Sequence, residues 1–567
     1  MWKIIAPCLA IAAHAAGEIC RLPGPAFPVP IRALGSHALK KASSDFVQSV
    51  KNIMQPPHDP QASFIDPDLV SFAVQVYSAG DNKPLFKYYH TATNDRNNTF
   101  GVNKIDGDTV FRTGSISKLY AVLLILIQTG DASLHEPVTN YIPELREAIQ
   151  EPGADDEIDA VQWEEVTIGE LASQMSGFER SYGLGDRSSD LVLMDSLGFP
   201  HLEESDIPQC GLTPSCNRSQ FFAGAMQRHP VFPTASSPAY SNDAYQLLGY
   251  VLEAMTSKPF RESLEKRLVE RLRLTRTSYT APESDQMIIP NPVNTSLWDL
   301  DLLELTPAGG IYASSKDMSA LGRAILNHDL LSPALTRRWL KPAAYASEPT
   351  SAVGSPWEIY MLTEPRMIPL YTKAGDIGTY SGMMGLSPEH DVGFTIFAAG
   401  QSTTRTVAML GDLVSTIMIS GIENAAREEA INLFAGTYAS TSGDASFTIT
   451  TDYGPGLRVT KWTNNGMDML KAIESLLSWV TDPIDLRLYP TGLKSKGKMS
   501  FRSTVLGSPI RSPNGPITRV CHAWQLVDYL VYGSVGVDEF VFEIGEDGSA
   551  VSVSPRALRV SLPRVSN

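Results

Sequence analysis

A serine and a lysine with two residues between them, Ser115 and Lys118, stand where a β-prone run gives way to a helix. The run ends at Gly114, and the residues that follow are apolar almost all round the predicted helix, which predicts that the helix is buried. Lys118 shares a helix face with Ser115, and burial disfavours its charged form. Free N–H groups at the helix start stabilise negative charge on an oxygen. The pair is typical of an activated nucleophile, although a serine here also suits a helix N-cap.

The same pattern occurs a second time, in Ser495-Lys-Gly-Lys498. This copy falls in a basic turn that we predict to be exposed, where no nucleophile is expected. The S-x-x-K pattern alone therefore does not identify a catalytic site.

Two more short patterns carry groups that could serve the same chemistry. Tyr240-Ser-Asn242 follows a loop and opens a predicted helix, so its phenol could face a cleft, where a lysine would favour the phenolate; the alternative is a core tyrosine with an asparagine cap. In Tyr371-Thr-Lys-Ala-Gly-Asp-Ile-Gly378, the glycines predict close backbone approach by a ligand, with Lys373 at a strand edge. By itself this last segment is a turn.

Taken in order, S-x-x-K, Y-x-N and K-x-G resemble the three motifs of class C serine β-lactamases and of the related D-alanyl-D-alanine carboxypeptidases and esterases. Leu171–Gly177 is similar to the family's L-L-S-H-T-S-G stretch, with Gln174 where histidine is common, and Thr306–Tyr312 is similar to its Gly-Gly segment. The resemblance covers roughly residues 70 to 425. Residues 20–25 and an added C-terminal β-domain resemble a fungal secreted branch.

The resemblance implies roles for the first two motifs. Ser115 would be the acylated nucleophile, and Lys118 would accept its proton or assist the transfer electrostatically. Tyr240 would act as general base and then as acid to the leaving group.

It also implies substrate-binding roles for residues of the second and third motifs. Asn242 and Lys373 would orient the substrate and the base, and the oxyanion hole would be the backbone N–H of Ser115 and of Asp376, which follows Gly375. Many relatives carry threonine or serine where this chain has Ala374, and that hydroxyl helps to hold a substrate carboxylate. The departure shifts the expectation from β-lactams and peptides toward esters, thioesters or amides without that carboxylate.

The expected fold class is α/β (α+β): a two-lobed β-lactamase/transpeptidase-like domain with an antiparallel sheet flanked by helices, plus a C-terminal mainly-β domain. Strands are predicted at Ser71–Tyr77, Lys83–His90 and Val392–Ala399, and helices at Ala42–Met54 and Val407–Ile419. The predicted divisions are a signal peptide at 1–15, a lead-in at 16–69, a catalytic domain at 70–430 and a β-rich domain at 431–567.

The N-terminus has the composition of a secretory signal. Lys3 supplies a positive charge, Ile4–Ala13 is apolar, and Ala13-His-Ala15 offers a cleavage site. The alternative is a buried N-terminal helix. The protein is accordingly expected to be secreted, into the extracellular space or within the secretory pathway.

Cysteine usage agrees with export. Cys8 would leave with the signal, and we predict the pairs Cys210–Cys216, which bracket a short loop, and Cys20–Cys521. Four free buried thiols are the alternative, which an oxidising compartment disfavours. Glycosylation sequons begin at Asn97, Asn217 and Asn294.

Composition excludes several classes of partner. The 567 residues are 43% hydrophobic and 19% charged, as in an ordinary globular protein, and the net charge of −16 argues against nucleic acid. Beyond the N-terminus no stretch reaches the ~18 consecutive apolar residues of a membrane span. No G-x-S-x-G, H-E-x-x-H, P-loop or dinucleotide motif occurs, so we expect neither a metal nor a cofactor.

Three hypotheses of function follow, each with a small-molecule acyl compound as the partner. The first is a serine hydrolase acting on an ester, thioester or amide. The second is a transacylase in a secondary-metabolite pathway, which would use the same acyl-serine. The third is a non-catalytic binding protein on this scaffold, against which the intact motifs argue. The oligomeric state stays open.

Overall fold

The computed structural model describes residues 21–57, 59, 64–477, 484–505, 521 and 523–566. These fall into two compact units. One is Lys40–Gly421, and the other combines the described residues up to Leu39 with those of Ile422–Asn567. Mixed helices and antiparallel sheets, with a mainly-β C-terminal part, confirm the predicted fold class.

The strands of the larger unit lie mostly toward the two ends of its sequence, and short strands also occur among the helices between them. In chain order they are β1 (Val70–Ser78), β2 (Pro84–His90), β3 (Val110–Arg112), β4 (Thr277–Ser278), β5 (Tyr312–Ser314), β6 (Ala344–Tyr345), β7 (Ser351–Val353), β8 (Glu358–Leu362), β9 (Ile368–Ile377), β10 (Tyr380–Ser387) and β11 (Val392–Gly400).

Helices lie before, between and after these strands. Up to Phe434 they are α1 (His37–Ile53), α2 (Ser117–Thr129), α3 (Pro143–Ala148), α4 (Ile168–Ala172), α5 (Leu191–Ser196), α6 (Arg218–Ala225), α7 (Asp243–Thr256), α8 (Phe260–Leu264), α9 (Glu270–Leu272), α10 (Thr306–Gly309), α11 (Ser315–Leu326), α12 (Pro333–Trp339), α13 (Thr403–Leu413) and α14 (Ser420–Phe434).

The main sheet joins the two ends of this unit. Its strand order is β2-β1-β11-β10-β9-β8-β7-β6, with antiparallel neighbours throughout. β1 is buried over nearly its whole length, because β2 and β11 pair with its edges and α11 packs against it. The predicted strands near residues 71, 83 and 392 are confirmed.

A group of helices supports the first motif. α2 packs against α7 and α10, and α4 packs against α7. The first ten residues of α2 are all buried, as its continuous apolar sequence predicts. The helix ends at Gly130, whose backbone has φ +68° and donates to the Leu126 carbonyl.

The smaller unit is built on a nine-stranded antiparallel sheet in the order β13-β12-β22-β21-β20-β17-β16-β14-β15. Packed aromatic rings form its core, among them Phe447, Trp462, Phe501, Phe540 and Phe542. The elements are β12 (Gly436–Ala439), β13 (Ala445–Thr450), β14 (Leu457–Asn464), β15 (Met467–Asp468), α15 (Met469–Leu476), β16 (Arg487–Ser495), β17 (Lys498–Thr504), α16 (Ala523–Leu526), β18 (Val531–Tyr532), β19 (Val535–Gly536), β20 (Glu539–Ile544), β21 (Ala550–Pro555) and β22 (Leu562–Ser566).

The predicted bridge between Cys210 and Cys216 is present. Cys20 and the predicted signal peptide lie outside the described residues, so the pairing of Cys20 with Cys521 stays a prediction. Among the described residues one helix, Thr403–Phe434, is long and apolar enough to cross a membrane. Because 56% of its most apolar window is buried inside the protein, as in a core helix, it is weak evidence for a membrane span.

Candidate active site

Ser115 lies on a single tight helical turn, Gly114–Ile116, that leads directly into α2. Gly114 has φ +52°, and a Cβ added there would stand 2.6 Å from the backbone nitrogen of Asp376. Both constraints demand glycine. The turn therefore presents Ser115, which is half-buried, at the end of a fully buried helix and against strand β9.

Gly375 meets the same turn from the other side. A Cβ there would lie 2.2 Å from the Thr113 carbonyl oxygen and 2.5 Å from the Ser115 nitrogen. The sequence predicted that this glycine admits a ligand, but the group that approaches it is the nucleophile's own backbone. The contact holds the end of β9 beside Ser115.

The side chain of Asp376 anchors that end of β9. Its Oδ1 accepts hydrogen bonds from Ser381 Oγ at 2.6 Å and Thr404 Oγ1 at 2.7 Å. Because backbone N–H groups two residues apart point to the same side of a strand, the Asp376 N–H shares a side with that of Ala374. The Ala374 N–H points away from the partner strand β10, toward Glu358. This orientation suits the Asp376 N–H to an oxyanion hole.

Lys118 is fully buried, and its ammonium group meets three acceptors. Nζ donates to Ser115 Oγ at 3.0 Å, to Asn242 Oδ1 at 2.7 Å and to the Ala308 carbonyl at 2.7 Å. Burial lowers the pKa of Lys118 to about 8, although the nearby Tyr240 favours the charged form. Burial therefore makes this ammonium group easier to deprotonate than an exposed one, while Tyr240 favours its charged form.

Tyr240 completes the group around the serine. Its hydroxyl oxygen lies 2.6 Å from Ser115 Oγ, and Lys118 Nζ lies 4.9 Å from the centre of its ring. Burial by itself would raise the pKa of Tyr240, but the charges of Lys118 and Lys373 and the hydrogen bond with Ser115 lower it to about 8. The phenolate form of Tyr240 is therefore more accessible than that of an ordinary tyrosine.

Asn242 contacts the lysine of the first motif. Besides accepting from Lys118, it donates through Nδ2 to Ser181 Oγ at 2.9 Å, and its backbone N–H donates to the Arg180 carbonyl at 2.7 Å. Asn242 therefore fixes the position of the Lys118 ammonium group. Gln174 accepts from the Ser241 N–H at 2.7 Å and so fixes the same loop.

Lys373 is 1% exposed and is paired with a carboxylate that the sequence analysis missed. Glu358 of β8 accepts from Lys373 Nζ at 2.5 Å through one oxygen and from the Ala374 N–H at 2.9 Å through the other. Burial would lower the pKa of Lys373, but Glu358 and Tyr240 raise it above its usual value. Lys373 therefore stays protonated, and its Nζ lies 5.4 Å from the centre of the Tyr240 ring.

Two buried carboxyl groups lie behind the second motif. Burial and the neighbouring Asp243 raise the pKa of Glu179 to about 8, against the opposing charge of Arg228, whose Nε lies 3.0 Å away. Burial raises the pKa of Asp243 to about 7, although it accepts from the Tyr182 N–H at 2.6 Å. Both acids are protonated in much of the folded protein at pH 7.

The structure thus gathers the three motifs around one hydroxyl. The asparagines of all three sequons are exposed. Among the described residues no group of three or more His, Cys, Asp or Glu side chains could hold a metal ion.

An antiparallel sheet flanked by helices, with these three motifs converging on one serine, is the β-lactamase/transpeptidase fold. The chain belongs to the β-lactamase family, whose model matches residues 69–419. A second model, described as a β-lactamase-like C-terminal domain, matches residues 426–566. The predicted family is therefore confirmed.

Two fungal proteins are similar to this chain over most of their length. A β-lactamase-like protein of Arthroderma benhamiae is 28% identical over 85% of this chain and 85% of its own. A probable hydrolase of a Phoma species is 26% identical over 96% of this chain and 91% of its own. A β-lactamase/D-alanine carboxypeptidase from Yersinia pestis, solved with citrate, is 19% identical with a TM-score of 0.49, over 68% of this chain and all of that one. The family is one of hydrolases.

Proposed function

We propose that the protein is a serine acyl hydrolase that cleaves an ester, thioester or amide through an acyl-Ser115 intermediate. The observation that carries the proposal is the pair of contacts to one oxygen: Tyr240 at 2.6 Å and Lys118 at 3.0 Å from Ser115 Oγ. Nucleophilic catalysis requires a nucleophile within hydrogen-bond reach of a base, and further groups that hold the base in position.

In the acylation step the proton of Ser115 passes to Tyr240. Lys118, with three acceptors around it, is placed to stay protonated and to favour the phenolate form of Tyr240. As Oγ bonds to the carbonyl carbon, the carbonyl oxygen gains negative charge. The N–H groups of Ser115 and Asp376 are placed to stabilise it.

In the following steps Tyr240 returns that proton. It passes to the departing oxygen, sulfur or nitrogen as the bond to the carbonyl carbon breaks, which leaves the acyl group on Ser115. Water then gives a proton to Tyr240 and attacks the carbonyl carbon of the acyl-Ser115 ester. The bond from that carbon to Ser115 Oγ breaks, Tyr240 returns the proton to Oγ, and the acid leaves. One residue thus serves as base and acid in turn.

Two residues favour substrates that lack a carboxylate at the third motif. Ala374 offers no hydroxyl, and the charge of Lys373 is already met by Glu358 at 2.5 Å. A substrate carboxylate placed there would be repelled by the negative charge of Glu358. It would also lack the hydrogen bond that a threonine or serine at position 374 would donate. We propose that simple esters or thioesters are better substrates than penicillins and cephalosporins.

We also propose that the protein is exported. The disulfide between Cys210 and Cys216 supports this, because such bonds persist in oxidising compartments. The exposed sequon asparagines Asn97, Asn217 and Asn294 are accessible for glycosylation if the host performs it.

Covalent labelling tests the proposed nucleophile. A fluorophosphonate should modify the protein once, and peptide mapping should place the label on Ser115. Ser115→Ala should take up no label, whereas Ser495→Ala should be labelled like the wild type. A label on another serine, or an unlabelled wild type with no esterase activity, would contradict the proposal.

A further inference from the structure

Three cations surround the ring of Tyr240, and they differ in their access to solvent. Lys118 Nζ and Arg180 Cζ each lie 4.9 Å from the ring centre, and Lys373 Nζ lies 5.4 Å from it. The two lysines are 0% and 1% exposed, whereas Arg180 is exposed. Only Arg180, of these three, can meet a group that arrives from solution.

The two lysines are also fully occupied. Lys118 donates to three acceptors, and Lys373 is paired with Glu358. Arg180 has no carboxylate within ion-pair distance in the part of the chain that the structure describes; its side chain contacts the Tyr240 ring. A guanidinium has five N–H donors in a fork that matches carboxylate and phosphate oxygens. Those donors remain available to a ligand.

The backbone of Arg180 is tied to the second motif. Its carbonyl accepts from the Asn242 N–H at 2.7 Å, and the neighbouring Ser181 Oγ accepts from Asn242 Nδ2 at 2.9 Å. Since Asn242 also contacts Lys118, the position of the guanidinium is linked to that of Ser115. An exposed arginine on a free loop would lack this constraint.

The position of Arg180 assigns it to one side of the substrate. In the proposed function Tyr240 protonates the departing atom, so the leaving group must lie beside Tyr240. The proposed oxyanion donors, the N–H groups of Ser115 and Asp376, belong instead to the nucleophile's turn and to the end of β9, and would bind the carbonyl oxygen. A group over the Tyr240 ring therefore neighbours the leaving group.

We infer that Arg180 binds an anionic oxygen group, a carboxylate or a phosphate, carried by the leaving group of the substrate. The inference rests on the proposed function. Substrate charge would then be recognised by the loop after α4, which contacts the N-terminal cap of α7 through Arg180. It would not be recognised by Lys373, which is already paired with Glu358.

Matched substrates test the inference. The first pair is 4-nitrophenyl acetate and 5-acetoxy-2-nitrobenzoate, which differ by one carboxylate on the leaving phenol. The second is S-acetylpantetheine and S-acetyl-4′-phosphopantetheine, which differ by one phosphate. For each pair the measured quantity is the ratio of kcat/KM, anionic over neutral, divided by the ratio of the rates in buffer. A ratio isolates charge recognition from any change in the reactivity of Tyr240.

In at least one pair the wild type should prefer the anionic member, and Arg180→Met should lower that ratio about ten-fold, the effect of one charge-assisted hydrogen bond. Arg180→Lys should restore part of it, because the charge is kept and the fork is lost. The preference should weaken with added salt. Arg187→Met, which removes another exposed arginine of the same segment, should leave both ratios unchanged.

The pair that responds identifies carboxylate or phosphate as the recognised group. The inference is overturned if Arg180→Met lowers the rates of both members equally, or if the ratios do not change in either pair. Failure of the proposed function is seen separately, as hydrolysis of 4-nitrophenyl acetate that survives in Ser115→Ala.

Discussion

The chain carries the same S-x-x-K pattern in two places, and only one of them is built as a site. Lys118 is fully buried with three acceptors, while the side chain of Lys498 is 56% exposed and lies 3.5 Å from Glu543, on a hairpin. Ser115 lies on the turn that leads into the buried helix α2, whereas Ser495 ends β16, whose last five residues are exposed. The comparison shows that a serine and a lysine at this spacing supply reactive groups, and that burial and hydrogen-bond partners decide their reactivity.

The sharpest test of this comparison is the loss of each serine. Ser115→Ala should lower kcat for a 4-nitrophenyl ester by up to about 10⁶, because the nucleophile is gone. Ser495→Ala should leave the rate unchanged. Circular dichroism of both variants checks the fold. Substantial residual activity in Ser115→Ala would show that another residue is the nucleophile.

The next largest difference is expected between variants of Lys118 and Lys498, the lysines of the two S-x-x-K patterns. Lys118→Met should lower kcat about 10²- to 10³-fold, because it removes the positive charge that favours the phenolate of Tyr240, and the loss of one electrostatic donor typically costs that much. Lys498→Met removes a solvated charge with a long ion pair and should have no effect. Steady-state kinetics of the two variants makes the measurement, and equal losses in both would break the comparison.

The third motif, which the 495–498 segment lacks, should control the choice of substrate. Ala374→Thr adds a hydroxyl beside Lys373 and should raise kcat/KM for a chromogenic cephalosporin by roughly ten- to a hundred-fold relative to an uncharged ester, since a hydrogen bond to a charged group contributes about 1.5–3 kcal/mol. Both substrates are assayed on the same preparation, so that altered folding cancels. A wild type that already hydrolyses the cephalosporin faster than the ester would restore β-lactamase as the leading function.

The smallest expected effect is on the pH dependence of stability, through the buried carboxyl groups of Glu179 and Asp243 behind the second motif. Burial raises the pKa of Glu179 to about 8 and that of Asp243 to about 7 in the folded state, so the folded protein holds protons that the unfolded chain releases above pH ~4. These groups should therefore stabilise the fold most at low pH, and their contribution should fall, by about 1.4 kcal/mol per pH unit and group, until pH reaches their folded pKa.

Urea unfolding between pH 5 and 8 measures that slope. Glu179→Gln should make it shallower, and Glu543→Gln, a change on the neighbouring strand β20 at a half-exposed side chain, should leave it unchanged. A slope that is the same in Glu179→Gln and the wild type would show that this carboxyl is ionised in the folded protein.

Some of the site could be predicted because its residues are neighbours in the chain. Ser115 and Lys118 meet through the geometry of one helix, and Asp376 must lie two residues beyond Ala374 on one strand edge. The bridge between Cys210 and Cys216 closes a short loop. In each case the spacing along the chain fixes the distance in space.

Glu358 could not be predicted in this way. It reaches Lys373 because β8 pairs with β9 in a register that sets Glu358 opposite Thr372, and nothing in the local sequence states that register. Arg180 was passed over for a related reason: its carbonyl finds Asn242 across 62 positions of sequence, through the packing of loop and helix.

The sequence by itself determined which reactive groups this protein has, their order and the helix that presents Ser115, because these depend on residue types and local backbone preferences. The tertiary structure decided their charges and partners. The pKa of Lys118 falls because distant helices exclude water from it, Gly375 approaches the nucleophile rather than a ligand because β9 packs on its turn, and Lys373 carries its own counter-charge because two strands pair. Electrostatic energies depend on distance and solvent exposure, and for these residues both are set by parts of the chain that are far apart in sequence.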